Sequence, residues 1–334
     1  MLVAGLLLIG FVAHRDGLFE KSGLFLEKVA GPTPALLACC LLLVALVTAL
    51  LNLDTAVVFL TPVLIHAART RGTREDAFLY GTVLMANASS LYLPGSNLTN
   101  LLVLPHQALP GGSFAGPMLA IALTSTVATA LGVFIVFGRP VSRMTPKPPT
   151  TLTWRPLGIG LVGVVLAAVL MVTVASPAVP VLAVGLVLVA IQLARHRMRV
   201  QDALRAVGPA ALASLFLLCL ALGVLARSWN GPAQLIEHAG RWETTGLGAA
   251  AAVLINNLPA AVLLSAHHVP HPRALLLGLN VGPNFAATGS LAAFLWWRAA
   301  RQAHANPSLA MFSRRGAPLA LFALTASLLV STAL

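Results

Sequence analysis

Apolar stretches long enough to cross a lipid bilayer follow one another along nearly all of this 334-residue chain, and its charges are confined to the gaps between them. Only 9% of the residues are charged and 58% are hydrophobic, where a soluble domain carries roughly 25% charged residues. Inside hydrocarbon every backbone N–H and C=O needs a partner from the protein itself, which leaves helices and closed barrels as spanning structures. Barrel strands alternate polar and apolar residues. Unbroken runs such as 36–51 do not. The sequence therefore predicts an all-α polytopic membrane protein with a single transmembrane domain over 1–334.

The formal net charge of +12 does not point to nucleic acid, because the basic residues sit in short gaps beside apolar segments, which is the pattern of cytoplasmic loops. Cys39, Cys40 and Cys219 lie in apolar runs and read as small buried hydrophobes. Met1 leads straight into an apolar run that meets His14-Arg15-Asp16 with no small-residue cleavage site ahead of it, so a cleavable signal peptide is not expected.

Apolar segments are read at about 1–14, 33–51, 55–68, 78–104, 114–138, 154–174, 178–194, 207–226, 246–255, 259–269, 273–300 and 316–333. A span needs about 20 residues. The segment 55–68 has 14, about 21 Å of helix, and 246–255 and 259–269 are shorter still. Each short arm adjoins a polar turn, Asn52-Leu53-Asp54 or Asn256-Asn257-Leu258-Pro259. We read 33–68 and 246–269 as hairpins that enter the membrane and return to the same side. Loops 15–32, 69–77, 139–153, 195–206 and 298–315, with Arg155 at the edge, then share one face and hold 18 of the 21 Lys and Arg residues. Treating each hairpin as one span gives 12 against 9. The positive-inside rule favours the hairpins, makes the basic face cytoplasmic and puts both termini outside.

An internal repeat follows. Residues 50–61 (LLNLDTAVVFLT) align with 254–265 (LINNLPAAVLLS), and Gly95-Ser96 aligns with Gly289-Ser290. Each unit reads span, hairpin, broken span, span. Repeat 1 covers about 1–138, a cytoplasmic linker 139–153, and repeat 2 about 154–334. Because the first hairpin opens to the cytoplasm and the second to the outside, the repeats are inverted. The second repeat is preceded by 154–174 and 178–194, and by symmetry two further helices are expected ahead of the first.

Two polar patches, 86–100 and 278–290, interrupt stretches that should be spanning helices. Irregular backbone at membrane depth persists only when buried in protein or lining a cavity, and a matched pair of interrupted segments points to a transporter binding site. Pro94, Gly95, Gly282, Pro283 and Gly289 should break the helical ladder. Asn87, Ser89, Ser96, Asn97, Thr99, Asn100, Asn280, Asn284, Thr288 and Ser290 then supply neutral donors and acceptors, although any one of them could instead bond an i−4 carbonyl or join two helices. Asn52, Thr55, Asn256 and Asn257 at the hairpin turns either close the turn or bind solute. Eight of the nine acidic residues fall in or beside loops; Asp54 alone sits at a hairpin tip. An ionised carboxylate at that depth is costly unless paired or hydrated, which suits a group that takes up and releases protons, and Asp54 could equally cap the arm beginning at Thr55.

These residues resemble the bacterial arsenite/antimonite efflux permeases, within the ion transporter superfamily that also holds sodium/proton antiporters, citrate carriers and divalent-anion symporters. The resemblance rests on Asp54-Thr55-Ala56-Val57-Val58-Phe59-Leu60-Thr61-Pro62, on the Ala86–Asn100 patch ending Ser96-Asn97-Leu98-Thr99-Asn100, on Asn256-Asn257-Leu258-Pro259, and on Val281-Gly282-Pro283 through Gly289-Ser290-Leu291-Ala292 and Leu295-Trp296. It departs at Asn87, where the family often has Asp, and at Ala286-Ala287, where it usually has Thr-Pro. What the resemblance implies is a proton-coupled exporter of arsenite or antimonite in a bacterial inner membrane, with Asp54 as the coupling acid. The alternatives are the same fold carrying Na⁺ or a carboxylate such as citrate, and, from another class, a channel or intramembrane enzyme.

The lining residues fit the first of these. No Arg or Lys lies in the predicted site, so a multivalent carboxylate lacks a countercharge, whereas neutral hydroxyl-bearing solutes suit Asn, Ser and Thr. No cofactor or metal is expected: His267, His268 and His271 cluster only in a short outer loop, and no nucleotide-binding G-x-x-x-x-G-K-[ST] is present. The expected partners are a small solute, protons or Na⁺ as coupling ion, the bilayer, a second copy in a homodimer, and a separate ATPase subunit if no ion gradient supplies the energy.

Overall fold

The computed structural model describes residues 1–29, 31–104, 111–138, 158–174, 176–229 and 231–333. Among them are seventeen α-helices and no strand. The chain opens with α1 (Leu2–Arg15) and α2 (Leu18–Val29). Then come α3 (Thr33–Leu50), α4 (Leu53–Thr70), α5 (Asp76–Ala88), a 3-10 turn at Pro94–Ser96, α6 (Leu98–Val103) and α7 (Gly111–Phe137). A middle group follows: α8 (Ile159–Thr173), α9 (Ala178–Ala194), α10 (Val200–Val207), α11 (Pro209–Ser228) and α12 (Gly231–Glu237). The last group is α13 (Arg241–Ile255), α14 (Asn257–Leu264), α15 (Pro272–Val281), 3-10 turns at Gly282–Phe285 and Ala287–Gly289, α16 (Leu291–Gln302) and α17 (Leu309–Ala333). The predicted linker 139–153 lies outside the described residues.

The two groups with broken helices pack alike. In the first, α3 lies against α4, α5 and the Pro94–Ser96 turn; in the second, α13 lies against α14, α15 and both 3-10 turns. Across the molecule α4 packs on α16 and α14 on α6, while α7 and α17 run against each other. Half-helix α16 is anchored by Trp296, fully buried, whose Nε1 donates to the Leu79 carbonyl of α5 at 2.7 Å, with Tyr80 and Phe312 packed on its ring. Without a hydrophobic force between helices in lipid, close approach through small residues takes over. A Cβ at Gly278 would stand 2.3 Å from the Thr245 carbonyl oxygen, and one at Gly5 2.8 Å from the backbone of Leu182, so α15 meets α13, and α1 meets α9, nearly backbone to backbone.

Several sequence expectations need correction. The second arm of the first hairpin begins at Leu53, not 55, and runs on to Thr70. Its 18 residues make about 27 Å of helix, so length alone does not mark it as re-entrant. Asn52, not Asp54, caps it, accepting from the Thr55 N–H at 2.7 Å. In the second hairpin α13 starts five residues earlier than read, because the polar run Arg241-Trp242-Glu243-Thr244-Thr245 is helical, and α14 has only 8 residues. The loops 15–32 and 195–206 are not irregular: they hold α2 and the amphipathic α10, which was missed because a window tuned to span length passes over one or two polar turns.

Candidate functional site

The first polar patch folds as a helix end, a turn and a half-helix start. After Ala88 the backbone leaves the helix, Pro94 opens the 3-10 turn, and extended Asn97 caps α6 by accepting from the Thr99 N–H at 3.2 Å. Gly95 lets α8 and α1 close over the break, since a Cβ there would stand 2.4 Å from Met171 Sδ. The second patch mirrors this. Gly282 and Pro283 open one 3-10 turn, extended Ala286 leads to another, and extended Ser290 precedes α16. Gly282 and Gly289 admit the close approach of Ala249 and Pro283, where a Cβ would meet the neighbouring Cα at 2.6 and 2.5 Å.

These two breaks meet. Asn280 Oδ1 accepts from Ser90 Oγ at 2.7 Å, Asn97 Nδ2 at 2.5 Å and Thr99 Oγ1 at 3.2 Å, and Asn280 Nδ2 donates to Asn100 Oδ1 at 3.0 Å. Asn100 Nδ2 returns to the carbonyls of Ser90 and Leu93. One turn away, Asn87 Nδ2 donates to Asn284 Oδ1 at 2.9 Å, and Asn284 Nδ2 to the Leu84 carbonyl at 2.9 Å. All of these side chains are buried. Asn87 Oδ1 and Ser290 Oγ are buried with no hydrogen-bond partner among the described residues, so each has bonding capacity that a water or a solute can use. Ser90 was not on the sequence's candidate roster, although it lies inside the first patch. Ser89 was, yet its hydroxyl only bonds back to the Met85 carbonyl, at 2.6 Å.

Both hairpin tips touch a break. Ser96 Oγ donates to the Ala49 carbonyl of the first tip at 3.0 Å and accepts from the Leu93 N–H. At the second tip Asn256, with φ of 76°, donates to the Thr288 carbonyl at 3.3 Å, and Thr288 Oγ1 donates to the Val253 carbonyl at 2.9 Å. Asn257 is buried in the first turn of α14. Thr288 is exposed, so the second tip is the more open of the two.

Asp54 does not join the amide network. It is half-buried on α4, receives no hydrogen bond or ion pair from the described residues, and faces a cavity of about 440 Å³ with Thr55, Val58, Phe59, Leu295 and three residues of α10, two of them charged. Those two, Asp202 and Arg205, are functional candidates that the sequence reading missed, and Arg205 overturns the expectation that no Arg or Lys reaches the site. Their spacing of three was the available signal, since it puts both on one helix face. Asp202 is tied to Arg15 at 2.8 Å, leaving Arg205 as the exposed cation on the cavity's rim. Thr55 Oγ1, next to Asp54, is buried without a partner. Among the described residues no group of three or more His, Cys, Asp or Glu is arranged to hold a metal ion.

Chemically, the crossing of the breaks offers neutral amide and hydroxyl donors and acceptors in a water-poor interior, where each hydrogen bond counts for more. The α4 cavity offers two carboxylates, of which Asp202 is paired with Arg15 and Asp54 is not paired.

Comparison with known proteins gives the same direction. The profile of a citrate transporter family, CitMHS, matches residues 1–294. Proteins called "Arsenical pump membrane protein" from Escherichia coli strain K12 and from Shigella flexneri are each 26% identical over 93% of this chain and 80% of their own length. The solved structure of the YdaH transporter of Alcanivorax borkumensis superposes with a TM-score of 0.58 at 15% identity, covering 99% of this chain and 84% of that one. At that identity it shows a shared fold.

Proposed function

Since the chain belongs to the citrate transporter family of multi-pass membrane transporters, and so is no enzyme, we propose that it is a secondary transporter exporting arsenite or antimonite in exchange for protons. One observation carries the reading: the side chains that join the two breaks are uncharged amides and hydroxyls, and the carboxylate of Asp54 stands apart on a cavity of its own. Arsenous and antimonous acids are neutral at physiological pH and carry hydroxyls that both donate and accept. Such solutes match a lining of Asn87, Asn97, Thr99, Asn100 and Asn284, with Ser290 Oγ and the start of α16 as further donors. Asp54 takes a proton from one side and releases it to the other. The likeness to proteins named as arsenical pump components supports this cargo.

In this reading the groups α3–α7 and α13–α17 are two inverted repeats, each with a re-entrant hairpin whose tip leans on its own broken helix. The basic loops face the cytoplasm of a bacterial cell. Alternating access then arises when one hairpin-bearing group rocks against the other around the crossing.

A second reading has a specific observation in its favour. Arg205 on the rim of the Asp54 cavity gives a carboxylate the countercharge that a neutral solute does not need, and the family is named for citrate transport. Purified protein in liposomes, with arsenite, antimonite, citrate and Na⁺ each tested under imposed pH gradients, separates the two. Arsenite movement driven by the pH gradient supports the first reading. Movement of citrate alone supports the second, and movement of Na⁺ alone, or conductance that ignores the gradient, refutes both.

A further inference from the structure

Asn280 is bonded in an unusual way. Its amide oxygen has two lone pairs, yet three donors converge on it: Ser90 Oγ, Asn97 Nδ2 and Thr99 Oγ1, at 2.7, 2.5 and 3.2 Å. All three donors come from the first break, and the oxygen alone comes from the second. A weld between two helices needs one or two such bonds and no surplus. Ser90 has a second acceptor in reach, the Asn87 carbonyl at 2.8 Å, so its hydroxyl can leave Asn280 without going unpaired. Removing the Asn280 oxygen from this picture leaves three buried neutral donors pointing at one spot: Ser90 falls back on the Asn87 carbonyl, Asn97 Nδ2 keeps only a long contact to Ser90 Oγ at 3.4 Å, and Thr99 Oγ1 loses its acceptor. Two polar atoms on the same pair of breaks, Asn87 Oδ1 and Ser290 Oγ, already lack partners.

We infer that Asn280 Oδ1 is an internal stand-in for an oxygen atom of the transported solute: it fills the Ser90–Asn97–Thr99 donor cluster when the site is empty and yields it when the solute binds. This deepens the functional reading above and rests on it. The occupant must present an oxygen acceptor to N–H and O–H donors, as a neutral hydroxy acid or a carboxylate does. A bare cation meets the wrong polarity here. Asn280 thereby sets apparent affinity, because a site held by its own side chain binds more weakly by the fraction of time it is free. The arrangement also keeps the buried donors satisfied between transport cycles, so the empty protein can close without stranding them.

The test uses purified protein in nanodiscs, with arsenite and citrate as probes, binding measured by titration calorimetry and melting temperature measured alongside. Asn280→Ala vacates the donor cluster. Binding should tighten about tenfold if the stand-in holds the cluster nine-tenths of the time, even as the melting temperature falls. Asn280→Asp keeps an oxygen in place and makes it a stronger acceptor, so binding should weaken by a similar factor. Should the Ala variant fail to fold, Asn280→Ser, too short to reach the three donors but able to bond the Leu276 carbonyl of its own helix, should show the same tightening. Opposite shifts for the vacating and the retaining variants support the inference. Weakened binding in both, tracking the loss of stability, or unchanged binding in both, overturns it. A wild-type protein that binds neither probe instead refutes the functional reading, and the inference with it.

Discussion

Replacing Gly278 by alanine puts a methyl group where the backbone of the neighbouring helix already stands. The added Cβ would lie 2.3 Å from the Thr245 carbonyl oxygen and 2.9 Å from the Ala249 nitrogen, whereas ordinary contact begins at 3.4 Å. Backbone cannot rotate aside, so α13 and α15 must part by roughly an ångström, a displacement that forfeits much of the dispersion energy along the seam. Overfilling of this kind costs about 1–3 kcal/mol. Parting the helices also stretches the bond from Thr245 Oγ1 to the Ala274 carbonyl, now 3.1 Å, and polar contacts between membrane helices average about 0.6 kcal/mol. Against these, alanine gains up to about 1 kcal/mol of helix propensity over glycine. The net expectation is a loss of about 1–3 kcal/mol. Gly246 lies on the same helix, α13, and an added Cβ there meets nothing within 4 Å, so Gly246→Ala keeps the propensity gain and nothing else. Thermal unfolding of detergent-purified protein, followed by size-exclusion chromatography, compares the two. Gly278→Ala should melt well below wild type, and Gly246→Ala at or above it. Equal melting temperatures for the two variants would refute the argument that backbone-to-backbone packing holds the second hairpin against its broken helix.

Two further substitutions probe the links between the halves. Trp296→Phe removes the 2.7 Å bond to the Leu79 carbonyl in a fully buried site; a loss of about 1–3 kcal/mol should appear as a lower melting temperature, with solute affinity in the surviving folded protein unchanged. Asn97→Ala removes both the cap of α6 and a donor to Asn280; the cap alone is worth about 1 kcal/mol, and solute binding measured on folded protein should weaken at least tenfold, unlike the Trp296 variant.

The fold was legible in the sequence where composition and backbone chemistry act locally. Pro94-Gly95 and Gly282-Pro283 both fall in 3-10 turns between helices: α15 ends directly before Gly282, where a proline nitrogen has no proton to give, whereas α5 already ends at Ala88, six residues ahead of Pro94. The turns at Asn52 and Asn256 close as their residue types require, with each side-chain oxygen accepting a backbone N–H. The pairing of Asn280 with Ser90, Asn97 and Thr99 was not legible, since it joins residues more than 180 positions apart, and no local pattern encodes which amide meets which hydroxyl. Arg205 was hidden for a related reason. In sequence it is one more basic residue between spans, and only the packing of short α10 on α1 brings it to the cavity that Asp54 lines.

The account's central claim is that Asp54 couples solute movement to protons, and vesicles carrying Asp54→Asn test it most directly. With arsenite inside and an imposed pH gradient, wild-type protein should drive arsenite across while moving protons the other way. The Asn variant, nearly isosteric but unable to titrate, should still bind arsenite and exchange it at equilibrium, yet show no transport driven by the pH gradient. Full pH-driven transport by Asp54→Asn would contradict the account and remove Asp54 from the mechanism.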